Sequence, residues 1–344
     1  MSYFLSELIP TTGLVASYPC VDVTTATRIA TIADYSGNGR DLAATGTATS
    51  GSSGSPIGEL STLNGYPTVL HAGEKPLLYA PTPVVKELYI LTKYDGAANF
   101  GATYRGLVSG ETSSGLDLVG DGSGTSTKFF DYTPLVYNYY KSHTSYATSN
   151  AQAPFSNFEL VELSYASDMN WDGIQVGQHK TDTARRWLGR WADLHVYSSQ
   201  LSTNERRRIR LYYDLKYLLW RTNSTTLEFP DPTLTGIYWN HFKARPLEWD
   251  EVTDTFEYED AGRDFNERTD TPPQRWDITF TGLSYGQMEI FDTFNKVARR
   301  SRTFSLVDKW GVTQTGVRIE SYSSSHRDHK SWANEVTFSL VKYP

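Results

Sequence analysis

The sequence predicts a mainly β protein: an antiparallel β-sandwich followed by a small α+β β-sandwich domain with one flanking helix. Three observations carry this. Aromatic residues make up 14% of the chain, with 23 Tyr and 9 Trp, a composition that suits strands and their turns. As far as about residue 220, short apolar runs recur between clusters of Gly, Ser, Asn, Asp and Pro. After that point a strand–helix–strand pattern replaces them. The length of 344 residues exceeds what one hydrophobic core of up to ~250 residues usually fills, so two domains are expected, 1–221 and 222–344.

The expected strands of the first domain are Leu14–Pro19, Thr68–Ala72, Glu87–Tyr94, Gly115–Gly120, Phe158–Tyr165 and Ala192–Ser199. Evenly spaced short strands of this kind suggest a sandwich or jelly roll. The stretch Gly46–Gly58 (GTATSGSSGSPIG) is poor in apolar groups and reads as a flexible loop. A helix closes the domain. Ser202-Thr203-Asn204-Glu205 has the spacing of a capping box, in which hydroxyl and carboxylate each satisfy the other's backbone N–H. Ile209, Tyr212, Tyr213 and Leu219 then recur at helical spacing. The run Arg206-Arg207-Arg208 reads as a solvated helix face, with phosphate or an acidic partner as the alternative.

The boundary falls near Arg221–Thr233, a polar stretch with two prolines. Residues 248–270 hold ten acidic side chains against two arginines; they could bind cations, but no EF-hand spacing occurs, and they read as a mobile or interface-forming acidic loop. RWDITFTGL is a strand with Trp276, Ile278 and Phe280 on one face and Asp277 and Thr279 on the other. A helix follows with Met288, Phe291, Phe294 and Val297 on one side, and then TFSLVD, GVTQTGVRIESYSSS and NEVTFSLVKY.

The net charge of −7 gives no electrostatic case for binding nucleic acid. The single Cys20 forms no disulfide within the chain and reads as a buried small hydrophobe, which suits assembly in a reducing cytosol. The start MSYFLSELIPTTG has neither a basic n-region nor a long apolar run, so no signal peptide is expected there. No apolar window of ~20 residues exists to insert in a membrane.

The run DYSGNGRD, Asp34 to Asp41, poses the sharpest question. A phosphate loop would end in GK[ST] and lead into a helix, which this run does not. Asp34, Asn38 and Asp41 offer oxygens to calcium. The Ser-Gly and Asn-Gly pairs equally make a tight turn that needs positive φ. No other cofactor is implied.

Catalytic patterns are absent. Glu159 and Glu162 fall on opposite faces of a strand, whereas glycoside hydrolysis needs two carboxylates facing one bond. Asp117 and Asp121 are separated by a turn-like glycine. The seven histidines show no metal-ligand spacing beyond His326 and His329 on a polar stretch. Neither GxSxG nor a catalytic setting for Cys20 occurs. The chain therefore reads as a non-enzyme. Trp171, Trp187 and Trp191 are the candidates for a sugar-binding platform, with core packing as the alternative use.

Several segments together resemble the laminin-G-like, concanavalin A-like jelly roll. They are LVASYP, DYSGNGRDLAATG, LNGYPTVLHAGEKPLLY (Leu63–Tyr79) and the closing GRWADLHVYSSQLSTNERRRIRLYYDLKY (Gly189–Tyr217). In the last, Asp193 stands where the family usually has Glu. The resemblance covers about residues 10–220 and implies two antiparallel sheets, in a family that binds glycans or proteins, sometimes with calcium, or serves as a spacer. The order of elements from about 230 to 344 is similar to minor tail and tail-tip proteins of tailed bacteriophages, whose domains resemble the tail tube fold.

Together these resemblances imply a structural virion component, a minor tail, tail-tip or baseplate protein assembled in the host cytoplasm. Its partners would be other virion proteins and further copies of itself. The jelly roll would project toward host surface glycans. The rival readings are a head or neck decoration protein, a glycan-binding adhesin module, and a polysaccharide-degrading enzyme with carboxylates assembled from distant strands.

Overall fold

The computed structural model describes residues 3–49, 53–60, 63, 65–81, 83–96, 99–101, 103–112, 118–129, 137–141, 144–146, 153–155, 157–219, 226–235, 237, 241–244, 273–301, 303–325 and 334–343. The fold is mainly β, as the alternation of short apolar runs and turn residues predicts. The chain divides into two compact units. One comprises Pro10–Arg206 and Lys216–Thr225, and the other Met1–Ile9, Arg207–Leu215 and Thr226–Pro344. The boundary expected between residues 221 and 222 differs from this division at three segments, 1–9, 207–215 and 222–225. Leu5, Leu8 and Ile9 are buried in the second unit, a long-range pairing that local pattern does not reveal.

The first unit contains β1 (Leu14–Ser17), β2 (Thr31–Ile32), β3 (Leu42–Ala44), β4 (Ile57–Leu60), β5 (Pro67–Ala72), β6 (Leu77–Tyr79) and β7 (Val84–Tyr94). There follow β8 (Gly106–Ser109), β9 (Leu118–Val119), β10 (Tyr137–Lys141), β11 (Thr144–Tyr146), β12 (Glu159–Asn170), β13 (Ile174–Val176) and β14 (Leu188–Tyr197). An eight-stranded sheet runs β11-β10-β12-β7-β14-β5-β4, with β1 also on β14. A six-stranded sheet runs β2-β3-β6-β13-β8-β9. All named pairings in both are antiparallel.

The core lies between these sheets. Leu88, Ile90, Val161, Leu163, Leu194 and Val196 from the first meet Leu42, Leu77, Leu107, Val108, Ile174 and Val176 from the second. Leu88 and Ile90 of β7 and Val161, Leu163 and Tyr165 of β12 reach this core at every second position, which the period of a strand requires. Of the stretch expected to be a flexible loop, the described residues 46–49 and 53–58 are held instead. Thr47 pairs with Gly54, the Ser55 N–H donates to the Thr47 carbonyl at 2.9 Å, and β4 begins at Ile57. Backbone bonding holds these residues despite their lack of apolar side chains.

Helix α1 (Thr203–Tyr217) follows β14. The capping box forms as its spacing predicts: the Glu205 N–H donates to Ser202 Oγ at 3.3 Å and the Ser202 N–H to Glu205 Oε2 at 2.8 Å. Ile209, Tyr212, Tyr213 and Leu219 are all buried.

In the second unit one antiparallel sheet runs β15 (His241–Ala244), β16 (Gln274–Leu283), β19 (Asn334–Lys342), β18 (Thr313–Ser325) and β17 (Phe304–Val307). Helix α2 (Tyr285–Ser301) starts with a second capping box, Ser284 with Gln287, that the sequence reading overlooked. Its buried Met288, Phe291, Phe294 and Val297 face the apolar side of the sheet, where Trp276, Ile278, Phe280, Phe338 and Leu340 are buried. Phe229 sits among these rings, 5.1 Å from Phe294 and 5.2 Å from Phe338. The stretch read as a polar boundary thus supplies a core residue, and Leu227–Phe229 bonds along the outer edge of β17 through Ser305. Among the described residues this unit has one sheet, with α2 as its second layer.

Candidate functional site

The turn from Asp34 to Asp41 is built around one carboxylate. Asp34 Oδ1 accepts from the Ser17 and Ser36 N–H groups, both at 2.9 Å. Asp34 Oδ2 accepts from the Ser36 hydroxyl at 2.8 Å and the Arg40 N–H at 3.0 Å. Each carboxylate oxygen carries two lone pairs, so these four bonds occupy them all. Asp41 Oδ1 accepts from the Asp34 N–H at 2.8 Å, and the Asn38 amide donates to the Leu14 and Val15 carbonyls at 2.9 and 3.0 Å. Gly37 and Gly39 take φ of +85° and +65°, the left-handed conformation that the Ser-Gly and Asn-Gly pairs signal. Asp34, Asn38 and Asp41 are therefore brought together, and what they hold is β1 and their own turn. Among the described residues no group of three or more His, Cys, Asp or Glu is arranged to hold a metal.

Trp171, Trp187 and Trp191 are each at most 1% exposed, which corrects their reading as a sugar platform. Trp187 lies flat against Phe129 at 6.5 Å and edge-on to Tyr94 at 4.9 Å. The Trp191 indole N–H donates to His71 Nε2 at 3.3 Å. Their ring faces are spent on the sandwich core, where large apolar area stabilises most. Gly177, at φ +96°, fits beside His71 because a Cβ there would come within 2.2 Å of the imidazole.

On the face of the eight-stranded sheet away from that core lies a layer of buried charge. Glu87, fully buried on β7, pairs with Arg206 of α1 and accepts from Ser164 Oγ at 3.1 Å and the Tyr89 hydroxyl at 2.9 Å. On the next strand Asp193 Oδ2 accepts from Lys216 Nζ at 3.0 Å and the Tyr217 hydroxyl at 2.9 Å. Its Oδ1 lies 3.2 Å from His195 Nδ1. The acid of the closing segment and its final Lys-Tyr are thus one network that ties the end of α1 to β14. Burial, opposed by Asp193, holds the His195 pKa down at about 4, and burial holds His71 at about 3. The Cys20 thiol is buried as expected, and desolvation with Asp193 nearby pushes its pKa well up, away from the reactive thiolate.

The basic run is not a solvated face. Arg206 is paired with Glu87, Arg207 with Glu228 and Asp231 at 3.2 and 3.5 Å, and Arg208 donates to the Glu7 carbonyl at 2.6 Å. These partners lie far away in sequence, which is why a charge run alone pointed to solvent. Of the carboxylates weighed for hydrolysis, Glu159 shares the strand parity of Val161 and Leu163, and buried Glu162 that of Leu160 and Ser164, so they occupy opposite faces. Asp121 is spent on the Ser123 N–H at 3.0 Å and the Ser123 hydroxyl. Asp117, His326, His329 and the acidic run 248–270 lie outside the described residues.

In the second unit the sheet face away from α2 is polar and half-exposed. Ser339 Oγ donates to Asp277 at 2.8 Å, Thr279 and Thr337 hydroxyls meet at 3.2 Å, and Arg275 pairs with Glu320 at 3.4 Å. The β17–β18 turn is ordered by Asp308, whose Oδ1 accepts the Trp310 and Val312 N–H groups, both at 3.0 Å.

No family model matches this chain, and neither a curated protein nor a solved structure matches it.

Proposed function

We propose that this protein is a non-enzymatic structural component of a tailed-bacteriophage virion, a minor tail, tail-tip or baseplate protein. In this reading the C-terminal unit makes the contact with the particle and the N-terminal sandwich is offered to the host surface. The observation that carries it is the one-sided sheet of the C-terminal unit. Its apolar face is filled by α2, while its other face carries Asp277, Thr279, Thr337 and Ser339 in hydrogen-bonded pairs, each partly buried. Such a surface suits docking against another protein better than it suits enclosing a small substrate, which calls for a concave apolar site. The commitment of Glu87 and Asp193 to ion pairs with α1 supports a non-catalytic sandwich. So does the resemblance of both halves noted from the sequence.

The test is sedimentation of the purified full-length chain with phage particles assembled without it. Co-sedimentation at a fixed copy number per particle is expected. A chain left in the supernatant in every such mixture overturns the reading. Release of new reducing ends from host polysaccharide would move the protein to the degrading enzymes.

A further inference from the structure

Asn38 and Gly39 form an Asn-Gly pair, the combination most prone to lose ammonia, because a glycine has no side chain to shield its backbone nitrogen. Both residues are exposed to solvent in the fold, and nothing lies within 4 Å of the place a Cβ would take on Gly39. Water and an uncrowded nitrogen, the two things the chemistry needs, are at hand.

The side chain that would react is nevertheless held. Asn38 Nδ2 donates to the Leu14 carbonyl at 2.9 Å, the Val15 carbonyl at 3.0 Å and Ser36 Oγ at 3.0 Å. The two carbonyls can only accept, so the nitrogen of the amide, and not its oxygen, must face them. The register of β1 on β14 shifts between Leu14 and Ala16, which leaves Val15 as the extra residue of a bulge. The Val15 carbonyl is bonded from the turn instead, by Asn38 and by Arg40 Nη1 at 3.2 Å. Asn38 therefore fastens an irregular strand to a turn whose own shape is set by Asp34.

We propose that Asn38–Gly39 is a modification site: it deamidates when the turn opens, and the product cannot close the turn again. The Gly39 nitrogen gives its proton to water and attacks the side-chain carbonyl carbon of Asn38. A C–N bond forms, the amide nitrogen leaves as ammonia, and a succinimide remains. Water then opens one of the two imide C–N bonds, which leaves aspartate or isoaspartate with no oxidation or reduction. The amide nitrogen is the leaving group, so the three bonds it makes must break, and the closed turn protects it. Afterwards a carboxylate faces the Leu14 and Val15 carbonyls, with only acceptors on both sides. A transient opening is thereby converted into a lasting release of β1. The proposal is independent of the virion reading.

The experiment ages the full-length chain in mildly alkaline buffer, with and without urea. Mass spectrometry follows the tryptic peptide Ile29–Arg40, in which Asn38 is the only asparagine. Conversion of the native chain is expected, slower than in urea by roughly tenfold or more, because only the open turn reacts. Ser36→Ala removes one acceptor and is expected to speed native conversion. In the converted protein the amides of Val15–Ser17 are expected to exchange hydrogen roughly tenfold faster, with those of β12 unchanged. Asn38→Asp, the pure aspartate product, is expected to show the same faster exchange; if that variant does not fold, the aged wild type carries the measurement. A native rate equal to the rate in urea overturns the inference, since the turn then protects nothing. A native chain that stays unconverted while the urea sample converts fully overturns it as well. So does exchange at β1 that conversion leaves unchanged.

Discussion

Replacing Asp34 by Asn tests what the DYSGNGRD turn is for. The substitution keeps the shape, removes the charge, and puts an amide nitrogen where one oxygen accepts two bonds. Facing Oδ2, it would confront the Ser36 hydroxyl and the Arg40 N–H; facing Oδ1, the Ser17 and Ser36 N–H groups. Either way two donors lose their acceptor. An orphaned donor costs about 1–3 kcal/mol when buried, and less here because the site is half-buried and water replaces part of the loss. The expected destabilisation is about 2–4 kcal/mol, or a fall in Tm of roughly 5–15 °C for a unit of this size. The assay is urea denaturation of the full chain read by tryptophan fluorescence, with calcium or with EDTA. The latch reading predicts the same loss in both buffers and no effect of calcium on wild type. A wild type stabilised by calcium, with that gain absent in Asp34→Asn, would refute it and make the turn a metal loop. So would a loss below about 0.5 kcal/mol, since four bonds to one carboxylate could not then be holding the turn.

Trp187→Ala should cost about 3–5 kcal/mol in the same assay, because the ring is fully buried against Tyr94 and Phe129; a small loss would return it to the surface role. Arg206→Met should cost about 3–5 kcal/mol by leaving Glu87 buried without its cation, and Arg206→Met/Glu87→Met should recover much of that; a neutral single variant would show the pair to be solvent-separated. His71 and His195 have folded-state pKa values of about 3 and about 4, below the unfolded value of ~6.5. Their stabilising contribution is therefore present above pH ~6.5 and is lost as pH falls toward those folded values, with a slope of up to ~1.4 kcal/mol per pH unit for each. Denaturation midpoints from pH 7.5 to 4.5 measure this, and a slope that His71→Gln/His195→Gln leaves unchanged would assign the acid sensitivity to other groups.

The period of the side chains was legible. Trp276, Ile278 and Phe280 alternate with Asp277 and Thr279 in a way only a one-sided strand explains, and Met288, Phe291, Phe294 and Val297 trace one face of α2. Local polar chemistry was legible too: Ser202 and Glu205 bond as their spacing requires. Burial of the three tryptophans was not, because an aromatic ring suits a core and a binding surface equally, and only the opposing sheet decides between them. Arg206 and Glu87 lie 119 residues apart, so no local rule joins them. Phe229 is hidden from pattern reading for another reason. It stands alone between Glu228 and Pro230, with no periodic neighbour to mark it, yet it is central to the second core.

The buried acids on the outer face of the eight-stranded sheet explain why Arg206 and Lys216 are cations. Apolar side chains at these two positions would have called for an apolar outer face there, making that sheet sticky on both sides before Arg206 and Lys216 arrived. Glu87 on β7 and Asp193 on β14 keep that face polar, and Arg206 and Lys216 meet them from opposite ends of α1. Two ion pairs on adjacent strands fix both the position and the direction of the helix, since reversing it would still bring cations to the acids but would misplace the Tyr217 hydroxyl that also bonds Asp193. Buried pairs add little net stability over apolar contacts but strongly penalise the wrong register.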